Sequence, residues 1–193
     1  MYMATGKPQT PRAPRKFRWT SAMLERLPND GNRYEALDGE LLVTPAPEFR
    51  HQRIATKLVA AFERYFEVAG RGIVVGPGAV VFGKNELQPD VQIIARLDRD
   101  APNAHWRDLP LPSLVTEVLS PGSHRHDLVK KRDAYLRIGI PEYWVVDPDE
   151  RCVLVFRQGS EADGPTRVVI TLHWRSWAEV APLEIDVARL FPG

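Results

Sequence analysis

Two acidic residues stand in segments where carboxylates are rarely found. Glu117 lies in the run from Leu114 to Leu119, which is apolar on both faces of a strand and therefore predicts a buried central strand. Asp90 follows Pro89 at the start of a second apolar run that ends at Ile94. A buried carboxylate needs a cation nearby, because ionised oxygens are costly to bury alone. Taken singly, each acid is also explained by a salt bridge or by its place at a strand end.

As a pair, the two acids favour a metal site. If their strands are neighbours, Asp90 and Glu117 can share one divalent ion. The active sites of open α/β sheets gather at strand ends, and Asp90 stands at such an end. Hard oxygen ligands favour Mg²⁺ or Mn²⁺. The sequence therefore predicts a Mg²⁺ or Mn²⁺ site at Asp90 and Glu117.

A lysine occupies an inward position of the helix predicted over residues 124–138. The apolar stripe of that helix is formed by Leu128, Tyr135 and Ile138, with Ala134 and Arg137 on another side. Lys131 fills the missing position of the stripe, whereas Lys130 groups with the other side. A lysine that faces a core is rarely unpaired, so Lys131 is a candidate partner for Glu117 and for a phosphate. An ordinary ion pair with Asp127, four residues earlier, is the alternative.

A histidine and a third acid are further candidates. The helix predicted over residues 48–69 has an apolar stripe, which reaches His51 when it is extended backward by three residues. His51 is then a ligand, a proton shuttle or a phosphate contact, or else a core histidine bonded to a backbone carbonyl. Glu35 lies in the first strand of a predicted hairpin, where a solvated acid is the alternative. The sequence has no P-loop, GxGxxG, GxSxG or cysteine–histidine metal motif.

The elements that must position these residues alternate along the chain. Asp38-Gly39, between two extended runs, is a strong signal for a hairpin over residues 34–43. The patterns predict helices over 20–27, 48–69 and 124–138, and strands over 73–82, 89–95, 114–119, 142–146, 152–157 and 166–173. This order predicts an α/β fold, with a mixed sheet flanked by helices rather than a regular βαβ array.

Composition restricts the class of protein. The formal net charge of the 193 residues is +1, so attraction to nucleic acid must come from a local patch. Cys152 is the only cysteine, which excludes an intramolecular disulfide and fits a cytoplasmic protein. No run approaches the ~20 apolar residues that a membrane span needs. Residues 1–18 form a basic, proline-rich segment, expected to be a flexible leader or a nucleic-acid-contacting arm, and residues 19–193 are expected to form one domain.

Six blocks of the sequence, in order over roughly residues 20–160, resemble the Uma2 family, which is assigned to the restriction-endonuclease-like PD-(D/E)XK nuclease superfamily. The blocks are Tyr34–Glu40, Glu48–Ile54, Gln88–Val91, Glu117–Pro121, Asp127–Tyr135 and Gly139–Pro148. By position, the resemblance makes Asp90 and Glu117 the two acids of the signature. Leu119 stands where the signature has its lysine, and the resemblance implies that Lys131 replaces it. Glu35 matches an early acid of the family.

The resemblance implies a metal-dependent endonuclease that acts on DNA. Asp90 and Glu117 would hold Mg²⁺, and Lys131 would orient the attacking water or stabilise the transition state. Glu35 and His51 are the additional candidates for catalysis. A homodimer is expected because two cuts on a duplex need two sites. The alternative is a non-catalytic module that binds nucleic acid or protein on a nuclease fold.

Overall fold

A computed structural model describes residues 17–70, 72–94, 104–160 and 164–192. Residues 1–16 of the basic N-terminal segment, which was predicted over residues 1–18, therefore lie outside the described residues. The helices are α1 (Ser21–Leu24), α2 (Phe49–Ala69) and α3 (Arg132–Arg137), with a π-helical segment (His126–Lys131) directly before α3. The strands are β1 (Arg33–Leu37), β2 (Glu40–Thr44), β3 (Ile73–Val75), β4 (Val80–Phe82), β5 (Asn85–Leu87), β6 (Val91–Ile94), β7 (Leu114–Val118), β8 (Glu142–Asp147), β9 (Cys152–Arg157), β10 (Thr166–Val168), β11 (Thr171–Trp174) and β12 (Leu183–Asp186).

The central sheet has six strands in the order β10-β9-β8-β7-β6-β3. β7 and β8 are parallel, and their crossover contains the π-helical segment and α3; the other pairs are antiparallel. The predicted hairpin is present as β1 and β2, and it belongs to a four-stranded sheet ordered β2-β1-β5-β4. The predicted mixed sheet flanked by helices is thus confirmed. Among the described residues, no helix combines the length and the apolar character that a membrane span requires.

β7 separates two apolar layers, because its side chains alternate between the faces of the sheet. Leu114 and Val118 pack in the layer that contains the buried stripe of α2. Val115 and Leu119 pack in the layer that contains α3 and the hairpin. Glu117 shares the second face, so the alternation places its carboxylate between β7 and the helix that carries Lys131.

The strand predicted over residues 73–82 is wrong in its extent. Two strands occupy it, and they belong to different sheets: β3 pairs with β6, while β4 pairs with β5. The chain turns away between them at Gly76-Pro77-Gly78, where Pro77 has no N–H to donate to a ladder. A Cβ on Gly76 would lie 2.6 Å from the backbone oxygen of Asp90, so this turn packs directly against the residue that precedes β6.

The helix predicted over residues 124–138 is present, but its faces differ from the prediction. Ala134, grouped by the pattern with Lys130 and Arg137 on another side than the apolar stripe, is buried. Ala134 lies three residues after Lys131, so the helical period places it on the same inward side as that lysine. α1 is also shorter than predicted and ends at Leu24. Trp174, a residue that could in principle stack on a base, lies in the core.

Candidate active site

The two candidate acids lie on neighbouring strands. β6 and β7 pair antiparallel with Val91 opposite Thr116, which sets Asp90 and Glu117 beside each other at one end of the sheet. The backbone N–H of Val118 donates to Oδ2 of Asp90 at 2.8 Å, fixing the aspartate against β7. Both acids are almost fully buried.

Asp90 is surrounded by nitrogen groups. Nε2 of His51, in the first turn of α2, lies 2.9 Å from Oδ2. Nη1 of Arg33, the first residue of β1, lies 2.9 Å from Oδ1 and also donates to the Gln88 carbonyl at 2.8 Å. Burial acts to raise the pKa of Asp90, but the His51 hydrogen bond, the Arg33 charge and the Val118 amide outweigh it and lower that pKa to about 2. Asp90 is therefore an ionised carboxylate at any physiological pH.

Glu117 has the opposite environment. Nζ of Lys131 lies 3.0 Å from Oε1 of Glu117, 2.9 Å from Oε2 of Glu35 and 3.4 Å from Oδ1 of Asp127. All four side chains are buried, so three carboxylates surround one ammonium group. Lys131, a candidate partner of Glu117 or of Asp127 by its sequence position, contacts both. The backbone N–H of Gln88 donates to Oε1 of Glu35 at 2.7 Å and orients that acid toward the lysine.

The pKa values follow from this imbalance. Burial raises the pKa of Glu117 well above its ordinary value, and the charges of Asp127, Asp90 and Glu35 raise it further against the opposing effect of Lys131. The pKa of Asp127 is raised for the same main reason, its burial. Burial lowers the pKa of Lys131, but the surrounding carboxylates more than compensate and raise it well above its ordinary value. Lys131 is thus a permanent cation, while Glu117 and Asp127 retain a proton more readily than ordinary carboxyl groups.

The helix is held over the sheet by bonds that lie outside this cluster. The Tyr143 hydroxyl, on β8, donates to the backbone oxygen of Asp127 at 3.0 Å. The Ser123 hydroxyl bonds within the preceding turn to Ser120. Asp127 and Lys131, four residues apart in the π-helical segment, share its buried face, and such segments are frequent at functional sites.

These side chains line an open cleft of about 220 Å³. Its floor contains Asp90, Glu117, Asp127, Lys131, Arg33 and His51. One wall is the segment from Thr44 to Glu48, between β2 and α2, and the other is the turn from Ser120 to Ser123. Glu35, a further candidate for catalysis by its sequence position, is fully buried behind Lys131 and does not line the cleft.

The donor set suits a divalent cation in part. Among the described ranges, no group of three or more His, Cys, Asp or Glu side chains is arranged as a ready metal site. Asp90 and Glu117 nevertheless offer two adjacent carboxylates, the ligands that hard cations take. Oδ1 of Asp90 is buried and faces Arg33, whose Nη1 lies 2.9 Å away. The four acids in contact with Lys131 or Arg33 also exceed those two permanent cations in charge, so a divalent ion in the cleft would balance the excess.

Sequence reasoning missed two residues of the cleft. Arg33 stands two residues before Glu35, at the same face of β1, and this spacing was the signal that could have revealed it. Asp127 was considered only as a local partner of Lys131. The other candidates, Asp90, Glu117, Lys131 and His51, all meet at the cleft.

Comparisons with known proteins agree with this architecture. A sequence model of the Uma2 family, described as "Putative restriction endonuclease", matches residues 21–187. The chain is similar in structure to the crystal structure of "a putative nuclease belonging to DUF820 from Anabaena variabilis", with 19% sequence identity and a TM-score of 0.72. The alignment covers 89% of this chain and 97% of that one, and at this identity the likeness concerns the fold. No curated protein gives a significant match.

Proposed function

The chain belongs to the Uma2 family, and on that premise we propose that it is a metal-dependent endonuclease that hydrolyses DNA phosphodiester bonds. Membership of a family described as restriction endonucleases supports a nuclease role. The observation that carries the proposal is the cleft floor, where Asp90 and Glu117 lie at adjacent strand ends and Lys131 reaches Glu117. Carboxylates and a fixed cation around an open cleft are the groups that metal-assisted phosphodiester hydrolysis needs.

In this proposal Asp90 and Glu117 hold Mg²⁺ or Mn²⁺. The bound ion would polarise a phosphate oxygen and lower the pKa of a coordinated water. Lys131 stabilises the negative charge that develops on the phosphate, or orients the attacking water, from a position that the surrounding acids fix. Glu35 acts through Lys131 as a positioning residue. His51 keeps Asp90 ionised and oriented, and its imidazole is the candidate proton shuttle beside the aspartate.

The direct test is a cleavage assay on plasmid DNA, single-stranded DNA and RNA, with Mg²⁺ or Mn²⁺ against EDTA. We expect cleavage of DNA that requires the metal ion and that disappears in Glu117→Gln, which retains the shape of the side chain but removes its charge. Lys130→Met serves as the control. Lys130 adjoins Lys131 but pairs with Glu40 at the surface, so its loss leaves the cleft unchanged. Metal-independent cleavage, or full activity of Glu117→Gln, would contradict the proposal.

A second function has one observation in its favour. The carboxylate of Asp90 already faces Arg33 and His51, so its charge is balanced without a metal ion. This arrangement suits a module that keeps the nuclease fold only to bind nucleic acid or protein. Calorimetry separates the two functions, because a nuclease site takes up Mn²⁺ through Asp90 and Glu117, whereas a binding module shows no Mn²⁺ uptake that depends on those acids.

We further propose that the partner is nucleic acid, namely DNA, and that the protein acts as a homodimer. Two cleavage sites on opposite strands require two copies of the cleft. Sedimentation of the protein with and without duplex DNA tests the dimer, and a monomer under both conditions would remove it while leaving single-strand cleavage intact.

A further inference from the structure

A second concavity lies at the far end of the β1–β2 hairpin from the cleft. Its volume is about 790 Å³, and it is bounded by the turn at Gly39, the turn at Gly83 and the end of α3. Eight of its lining side chains can bind a ligand through charge, hydrogen bonds or a ring, and we call them together the hairpin groove: Arg18, Trp19, Thr20, Asp38, Phe82, Lys84, Asn85 and Arg137. None of them takes part in the cleft.

Backbone hydrogen bonds fix the shape of the hairpin groove. The N–H of Trp19 donates to the Gly39 carbonyl at 2.9 Å, and the N–H of Ser21 donates to the Lys84 carbonyl at 2.9 Å. The segment that carries Arg18 is thereby held between the two turns. Gly39 has a φ of 90°, and a Cβ there would lie 3.1 Å from Cγ of Arg18, so the stem of Arg18 rests directly on the glycine. Arg18, which the sequence analysis included in the N-terminal segment, is part of this surface.

The charge of the hairpin groove is positive. Arg137 forms an ion pair with Asp38, with Nη2 at 3.0 and 3.2 Å from its two oxygens. Arg18 and Lys84 are exposed and have no acidic partner in the described part of the chain. Their two charges are therefore available to an anion. Trp19 and Phe82 add aromatic surface beside them.

We propose that the hairpin groove binds the phosphodiester backbone of nucleic acid at a distance from the cleft. Arg18 and Lys84 bind phosphates, and Trp19 offers a flat face to a sugar or base. From Arg33, in the cleft, to Asp38, in the groove, the chain rises about 16 Å along β1. Duplex DNA rises about 3.4 Å per base pair, so this distance corresponds to roughly five base pairs. The inference rests on the proposed function in taking nucleic acid as the substrate.

The experiment measures the salt dependence of binding rather than cleavage. Affinity for a labelled DNA duplex is measured by fluorescence anisotropy over a range of NaCl concentrations, without divalent metal, on the full chain. The double variant Arg18→Ala/Lys84→Ala is compared with Arg53→Ala/Arg64→Ala, which makes the same change in net charge on the exposed side of α2. The slope of log K, where K is the association constant, against log[NaCl] is negative. We expect it to become flatter by about 0.9 for each phosphate that the groove variant no longer neutralises. The slope of the α2 variant is expected to stay near that of the wild type.

The outcomes separate this inference from the proposed function. Equal slopes for the two double variants would overturn the inference, because the effect would then reflect net charge alone. A flatter slope for the groove variant, together with no cleavage under any metal condition, would support the groove and contradict the nuclease activity. A wild type that does not bind duplex DNA at low salt would overturn the groove, while Mn²⁺ calorimetry would still report on the cleft.

Discussion

The Asp90 side and the Glu117 side of the cleft differ in how their charges are balanced. Asp90 has Arg33, His51 and a backbone amide around one carboxylate. On the other side, Glu117 shares Lys131 with Glu35 and Asp127. The two acids are equally buried, so burial alone cannot explain why their pKa values shift in opposite directions. The number of cations per carboxylate explains the difference.

This difference assigns distinct properties to the two sides. Asp90 is fixed and ionised in the metal-free protein, so it can act as a permanent anchor for a cation. Glu117 lies in a cluster where three carboxylates share one lysine, and its burial together with the neighbouring acids raises its pKa well above the ordinary value. The Glu117 side is therefore the part of the cleft that gains most from a divalent ion, and the Asp90 side is the part that already has its counter-charges.

The largest effect is expected from Lys131→Met, which removes the cation at the centre of the Glu117 side. Loss of this charge should slow cleavage by about 10²–10³-fold, as for the loss of a donor that stabilises transition-state charge. It also leaves buried acids without a partner, a change that costs about 3–5 kcal/mol in proteins. Cleavage rates, normalised to the folded fraction from circular dichroism, and urea unfolding check both expectations.

Two further lysine variants serve as controls for this experiment. Lys130→Met should change neither quantity measurably, because Lys130 is bonded to Glu40 at the surface. Lys131→Arg retains the charge and should restore stability more than cleavage, since the planar guanidinium differs in shape from the ammonium. Equal activity of Lys130→Met and Lys131→Met would show that the Glu117 side does not take part in the reaction.

The next effect compares the two acids directly. Asp90→Asn should lower the free energy of unfolding by about 1–3 kcal/mol, because Arg33 and His51 lose their charged partner in a buried place. Glu117→Gln should leave the stability of the metal-free protein unchanged or raise it, because it removes one of three negative charges around Lys131. Both variants should lose Mn²⁺ binding. Urea unfolding and calorimetry check this prediction, and equal loss of stability in the two variants would remove the distinction between the two sides.

The sequence was sufficient for the parts of the site that depend on short-range periodicity. Alternation along β7 predicted that Glu117 shares a face with Val115 and Leu119, and the helical stripe predicted that Lys131 points inward. The strand pattern holds because β7 is packed on both faces, so one register is strongly favoured, and the helical pattern holds because one face of the helix packs against the sheet. The resemblance to the Uma2 family pointed to the same residues, Glu117 and Lys131.

Other parts depend on long-range packing that periodicity cannot show. Arg33 was missed because its role comes from Asp90, which lies far along the chain. The short strands β4 and β5 were merged or read as loop because pairing with β1 and with each other, rather than local propensity, makes them strands.

The smallest of the expected effects, and the one that tests the comparison most closely, is the pH dependence of the two sides. Because the pKa values of Glu117 and Asp127 are raised in the folded protein, these groups stabilise the metal-free fold at pH values below their pKa values in the unfolded chain. This stabilisation is lost as the pH rises toward their pKa values in the folded protein. Asp90 behaves in the opposite way: its stabilising contribution to the fold is present above pH 3.8 and is lost as the pH falls toward about 2.

A metal ion requires Glu117 in its ionised form, so Mn²⁺ affinity should rise by up to about tenfold per pH unit while Glu117 is protonated. Asp127→Asn should weaken this dependence, because it removes a neighbouring charge that raises the pKa of Glu117. Calorimetric titrations of Mn²⁺ at several pH values, in buffers of different ionisation enthalpy, measure the affinity and the protons released, and an affinity independent of pH would show that Glu117 is as fully ionised as Asp90.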